Sequence, residues 1–178
     1  ASATRAADVS SSAATTRAAD GAAILGPNFT FYKADAATIL VDAMNNAPTS
    51  AANQYNVLHL GINNAYGYGV FREAGTKYYW AHARNANSSY YNLNSGVVWG
   101  QNVKSKIALA YKSGDSALAV DGSTVSTTST TYAQMPYITQ LNIGSSDGSG
   151  SQGFNGYISK LSYYPTRLSN TELQALTK

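Results

Sequence analysis

From Ile24 to Pro165 the chain is a succession of short segments in which β-branched and aromatic residues alternate with small or polar ones. Gly, Asn, Ser or Pro interrupts them at short intervals. A helix needs apolar residues three and four apart over several turns, whereas a period of two lines one face of a strand. The segments Asn28–Lys33, Thr38–Met44, Tyr55–Ile62, Tyr66–Arg72, Lys77–Arg84, Ser105–Lys112, Ser116–Val120, Ile138–Gly144 and Gly156–Pro165 therefore read as strands. Many short strands at this spacing specify an all-β antiparallel sandwich or jelly roll. The chain, 178 residues long, is of a size that such a fold occupies undivided.

The first 21 residues differ in kind. They are small and polar, and they contain the pentapeptide TRAAD twice, at Thr4–Asp8 and Thr16–Asp20. Two short copies are too few for a solenoid, so residues 1–21 are expected to be a linker or N-terminal arm, and residues 22–178 the domain.

Three turns predict local pairing. Asp121-Gly122 tolerates the positive φ of a two-residue hairpin turn. Lys112–Asp115 joins the preceding strand to Ser116–Val120, giving a three-strand meander with Leu118 and Val120 on the buried side. A tight hairpin centred on Ala74-Gly75 pairs Phe71 with Tyr78, Gly69 with Trp80 and Gly67 with His82, so that rings cover glycines. Its opposite face carries Tyr66, Tyr68, Val70, Arg72, Lys77 and Tyr79. One helix is encoded, at the C-terminus. Ser169 is an N-cap, Glu172 its capping-box partner, and Leu168 can staple to Leu173. Leu173 and Leu176 then share a face that should lie against the sheet and cover an open end of the sandwich, and Pro165 ends the strand before it.

Composition narrows the chemistry. Only 12% of residues are charged, and 14 are tyrosine. A surface built from Ser, Thr, Asn, Gly and Tyr interacts through hydrogen bonds and aromatic faces, which suits carbohydrate or neighbouring protein. The net charge of +3 comes from Lys and Arg scattered along the chain, not from the basic cluster that nucleic acid requires. No apolar run approaches the length of a membrane span, and there is no cysteine for a disulfide, thiolate metal site or nucleophile. Glycoside hydrolysis needs two flanking carboxylates. The two glutamates lie in the capping box and in a turn, Asp115 and Asp121 lie in turns, and Asp147 lies in a Gly/Ser loop. His59 and His82 stand in strand patterns with no nearby acid, which makes a serine triad or a zinc site a poor fit. The chain is therefore read as a non-enzyme without a cofactor. Calcium is the one ion whose oxygen ligands the loops offer, at Asp115, Asp121 and Ser145–Ser151.

What remains is an aromatic platform. Tyr66, Tyr68, Tyr78, Tyr79, Trp80, Tyr90, Tyr91 and Trp99 cluster among Asn85, Asn87, Asn92, Asn94, Arg72 and Arg84. Sugars present apolar ring faces edged by hydroxyls, and rings beside amides and guanidinium match both. Alternation sends about half of these rings into the core. The candidate ligand contacts are Tyr66, Tyr68, Arg72, Tyr79, Trp80, Tyr90, Tyr91 and Trp99.

The C-terminal stretch Gly156–Thr177, with the strand ISKLSYYP leading into RLSNTELQALT, resembles the closing segment of concanavalin A-like, laminin-G-like domains of tailed-phage fibre and tail proteins. The TRAAD segment, KIALAYKSGDSALAVDG and TQLNIGS are similar too, so the resemblance covers most of Thr16–Lys178. The duplicated TRAAD and the Tyr/Asn-rich stretch from Lys77 to Trp99 depart from it. The resemblance implies a two-sheet lectin-type (concanavalin/laminin-G-like) jelly-roll sandwich on a virion, binding host-surface glycan or mediating fibre assembly. Its implied partners are cell-surface glycan, other virion subunits and further copies of itself, as in a trimer. The alternative role is a capsid or fibre decoration domain that contacts subunits and binds no glycan.

Overall fold

The computed structural model describes residues 22–48, 53–86, 88–135, 137–147 and 152–178. The duplicated pentapeptide lies outside the described residues. Among the described residues eleven strands form two sheets, numbered here in chain order. One sheet holds, side by side, β1 (Ala22–Leu25), β10 (Gln140–Ile143), β3 (Tyr55–Asn63), β4 (Tyr66–Arg72), β5 (Tyr78–Asn85) and β6 (Ser88–Val98). The other holds β11 (Gly156–Tyr164), β2 (Ala36–Asn45), β7 (Val103–Lys112), β8 (Ser116–Val120) and β9 (Ser126–Thr128). Every strand pairing is antiparallel. The fold is the expected two-sheet sandwich, with a single short α-helix among the described residues, α1 (Asn170–Leu176). No helix among the described residues is long and apolar enough to cross a membrane.

Alternation fills the space between the sheets. Leu58, Leu60, Val70, Ala81, Leu93 and Leu141 of one sheet pack in one cluster with Ile39, Val41, Ile107, Leu109, Leu118 and Val120 of the other. Leu118 and Val120 thus face the core as expected. Their neighbours Ala117 and Ala119 are buried as well, with Leu40, Ala108 and Ala110, beneath Leu173 of α1. The helix therefore lies against a sheet as expected, but on the outer face of the five-stranded sheet and not at an open end. The row of alanines explains this, because small side chains let a helix approach a sheet that a bulkier face would hold off. The capping box is formed, with Ser169 N and Oγ both donating to Glu172 Oε2 at 2.7 Å.

One end of the core is a tyrosine network. Tyr68 of β4 stacks on Tyr111 of β7 with ring centroids 4.2 Å apart, which joins the two sheets. The Tyr111 hydroxyl donates to Lys33 O at 2.7 Å and lies 2.9 Å from the Tyr163 hydroxyl. Burial raises the pKa of both phenols above the ordinary tyrosine value.

Several expectations change. Asn28–Lys33 forms no strand. A 3₁₀ turn at Gly26–Asn28, with Pro at its start, leads into a segment whose Phe29 stacks on Tyr32 while Phe31 sets its edge on Tyr163. The Asn- and Ser-rich Ser88–Val98, unexpected as a strand, pairs along β5. In the β4–β5 hairpin the register is displaced by two residues, with Phe71 opposite Trp80, Gly69 opposite His82 and Gly67 opposite Arg84. The cause is a longer loop. Glu73 N bonds Tyr78 O at 3.0 Å, Lys77 adopts φ 61°, and the Glu73 carboxylate takes Thr76 N at 2.6 Å and Thr76 Oγ1 at 2.7 Å. An even displacement preserves the face of every residue. Asp121 (φ 49°) and Gly122 (φ 68°) do form the turn, with Ser123 N on Val120 O at 2.9 Å, yet β9 begins only at Ser126.

Candidate functional site

Because Leu58, Leu60, Ala81 and Ala83 belong to the core, their strand neighbours His59 and His82 must project from the outer face of the six-stranded sheet. Register aligns them. Asn142 of β10 is opposite His59 of β3, which is opposite Gly69 of β4, then His82 of β5, then Asn92 of β6. A second row carries Asn56, Phe71, Trp80 and Asn94, and a third places Arg84 between Gly67 and Ser89. One sheet face thus collects two imidazoles, a guanidinium, an indole and several amides. At its centre the side chains are buried (His59, His82, Phe71, Asn142). Toward β6 they open to solvent, with Trp80, Arg84 and Asn94 half-buried and Asn92 exposed.

The centre is fixed by packing. The His59 and His82 rings lie 5.6 Å apart across Gly69, and Phe71 stands 5.2 Å from His82. A Cβ on Gly69 would meet His82 Nε2 at 2.6 Å and His59 Nδ1 at 2.9 Å, so only glycine admits both rings. His59 Nε2 pairs with the Tyr66 carbonyl at 3.0 Å, whereas His59 Nδ1 and both His82 nitrogens have no hydrogen-bond partner among the described residues. Desolvation lowers the His59 pKa to about 4, with nearby Arg84 adding to the effect, and it lowers that of His82 well below the ordinary value, helped by His59 and Arg84. Both rings are therefore neutral at pH 7. Asn142 Nδ2 donates to Gly61 O at 2.8 Å and Ser146 O at 3.3 Å, which ties the segment after β10 to this face. Trp80 is held at the rim by its Nε1–H, which donates to Thr76 Oγ1 at 3.0 Å, and Thr76 is itself held by Glu73.

Of the eight contacts expected from sequence, Trp80 lies on this face. Tyr66 and Tyr90 are half-buried elsewhere, Tyr66 edge-on to Tyr137 at 5.2 Å and Tyr90 stacked on Tyr132 at 5.3 Å. Tyr68, Tyr79, Tyr91, Arg72 and Trp99 are buried and do not form an exposed platform. The reason is parity, since Tyr68, Tyr79 and Tyr91 sit at inward positions of β4, β5 and β6. Arg72 also points inward. Its guanidinium is sandwiched 4.0 Å from the ring centres of Tyr55 and Trp99, and Trp99 Nε1 donates to Glu73 O at 3.2 Å. Burial lowers the Arg72 pKa while the Tyr55 phenol works against that. His59, His82 and Asn142, which the sequence did not point to, and Asn92, Asn94 and Arg84, which it offered only as neighbours of the rings, become a set only through register. The usable signal was the apolar neighbour on each side of both histidines.

The carboxylates mostly have structural tasks. Asp42 pairs with Lys104 at 3.6 Å, Asp115 with Arg167 at 2.8 Å, and Asp121 Oδ1 accepts from Lys106 N at 2.7 Å. Glu73 organises a turn and Glu172 a helix cap, and those hydrogen bonds lower both pKa values. Among the described residues no three His, Asp or Glu side chains converge to hold a metal.

Fold and face together define a lectin-type sandwich whose polar sheet face offers amides and an aromatic ring. The family model described as the concanavalin A-like lectin/glucanases superfamily, of laminin-G type, matches residues 43–174, and the chain belongs to that family. No curated protein sequence matches it significantly. Among solved structures, the CBM40 of Ruminococcus gnavus IT-sialidase is similar at a TM-score of 0.68 and 18% identity, over 82% of this chain and 84% of that one. The same module bound to α2,6-sialyllactose matches at 0.67 and 19% identity, over 81% and 84%. The NanB sialidase of Streptococcus pneumoniae matches at 0.67 and 16% identity, over 88% of this chain and 27% of that one.

Proposed function

We propose that this domain is a non-catalytic glycan-binding module that uses the β5–β6 side of the outer sheet face, and that it serves as a tailed-phage fibre or tail domain attaching to host-surface carbohydrate. The observation that carries the reading is the set Trp80, Arg84, Asn92 and Asn94, which shares one sheet face by register, with Trp80, Arg84 and Asn94 half-buried and Asn92 exposed. An indole offers a surface for the C–H face of a sugar, amides bind hydroxyls through paired donors and acceptors, and a guanidinium pairs with a carboxylate. Arg84 favours acidic sugars. The bound sialyllactose of the similar CBM40 structures supports that preference. The likeness of Gly156–Thr177 to phage fibre domains supports the virion setting.

Glycan-array and calorimetric binding of the wild type beside Trp80→Ala and Arg84→Ala tests this. The expected outcome is loss of about tenfold or more in affinity in each variant, with unchanged circular dichroism. Folded wild type that binds no glycan, or variants that bind as it does, would refute it.

A second reading, a decoration domain that contacts neighbouring subunits, draws on exposed apolar side chains at Val98 and Val103, on either side of the β6–β7 connection. A trimeric mass in solution that reverts to monomer in Val98→Ser/Val103→Ser would favour it.

A further inference from the structure

A separate cavity opens at the tyrosine end of the sandwich. It is lined by Ala34, Asp35, Lys112, Ser113, Tyr132 and Gln134 and has a volume of about 360 Å³. It shares no residue with the sheet face described above. That volume falls at the small end of the roughly 300–1,000 Å³ range of small-molecule sites.

Its walls are anchored from behind. Lys33, next to Ala34 and Asp35, gives its N–H to the Tyr163 hydroxyl at 2.8 Å and takes the Tyr111 hydroxyl on its carbonyl at 2.7 Å. Ser113 Oγ accepts from Tyr132 N and donates to Tyr132 O, both at 2.8 Å, which locks the Tyr132 backbone to the β7–β8 turn. The Tyr132 hydroxyl lies 3.2 Å from Ser116 Oγ, and its ring stacks on Tyr90. The Asp35 carboxylate, the Lys112 ammonium and the Gln134 amide, by contrast, make no hydrogen bond or ion pair among the described residues. The backbone of the walls is held in place, while three exposed polar side chains of different kinds at the mouth are free to turn toward a polar ligand.

We propose that this cavity binds a single pyranose unit with free vicinal hydroxyls, as a second saccharide site independent of the sheet face. A carboxylate accepts from two adjacent hydroxyls, the ammonium and amide donate to others, and the Tyr132 ring supplies apolar wall. The opposite charges of Asp35 and Lys112 leave no net field selecting an ionic ligand, so a neutral sugar suffices. The volume admits one ring, not a chain.

The test is a ¹⁵N-resolved NMR titration of the full chain with the methyl glycosides of glucose, galactose, mannose and N-acetylglucosamine, repeated in Asp35→Asn, Gln134→Ala and Arg84→Ala. Asp35 and Gln134 are exposed, so these changes spare the core. At least one glycoside is expected to shift Asp35, Ser113 and Gln134 amides saturably, about tenfold more weakly in Asp35→Asn and Gln134→Ala and unaltered in Arg84→Ala. Absence of saturable shifts at the cavity with all four glycosides would overturn the proposal. So would shifts that disappear only in Arg84→Ala, while the sheet-face reading would then stand.

Discussion

Gly69 and the two histidines it separates set the character of the sheet face. With a Cβ placed 2.6 Å from His82 Nε2, Gly69→Ala must displace one imidazole, and overpacking of this kind costs about 1–3 kcal/mol. A lowered urea midpoint with an unchanged m-value is the expected result. The same pair makes stability depend on pH. His59 has a folded pKa near 4 against an ordinary value of 6.5, so the unfolded chain binds more protons between those values. Its contribution is complete above pH 6.5 and is lost as the pH falls toward 4, up to about 3 kcal/mol, with His82 acting in the same direction. Arg84 opposes protonation and Asp147 favours it, so both enter the balance. Thermal melts between pH 7 and 5 should show a falling Tm that is shallower in His59→Gln. A flat profile in the wild type would contradict this account.

Among the elements, α1 is short and owes its place to its cap and to Leu173. Ser169→Ala removes the side chain that accepts Glu172 N and should cost about 1 kcal/mol. Leu173→Ala leaves a cavity over the Ala108, Ala110, Ala117 and Ala119 surface and should cost about 2–5 kcal/mol. Equilibrium urea denaturation separates the two magnitudes. β6 makes the opposite point, because its Asn, Ser and Gly content speaks against a strand while a full-length pairing with β5 supports one. Asn92 and Asn94 stand at the open edge of the outer sheet face only because that pairing exists.

At the scale of the molecule, strands distant in sequence complete each sheet. β1 pairs with β10 and β2 with β11, so neither sheet is finished until the C-terminal strands are in place. The sheets also share one core through Tyr68 and Tyr111. They should therefore melt together. Near-ultraviolet signals from the buried tyrosines and far-ultraviolet signals from the strands are expected to give one coincident transition, and separated midpoints would show that the sheets are independent units. Refolding in milliseconds to seconds is expected from such non-local pairing.

The period-two pattern, the Gly/Asn turns and the Ser169–Glu172 box were sufficient to determine an antiparallel sandwich, most strand boundaries, the inward side of β8 and the capped helix, because each rests on residues near one another in the chain. Parity along Tyr66–Arg72 and Lys77–Arg84 likewise settled which side chains share a face, and it survived a hairpin displaced by two residues. Which face is buried, and by what, was decided elsewhere. Tyr68, Tyr79, Tyr91, Arg72 and Trp99 belong to the core because the second sheet, or a neighbouring ring, covers them. Asn142, His59, His82 and Asn92 form a row because four cross-strand registers coincide. Such coincidence depends on loop lengths and bulges between strands far apart in the chain, so the aromatic, Asn-rich stretch marked the region of the candidate face while only tertiary pairing selected the residues that share it.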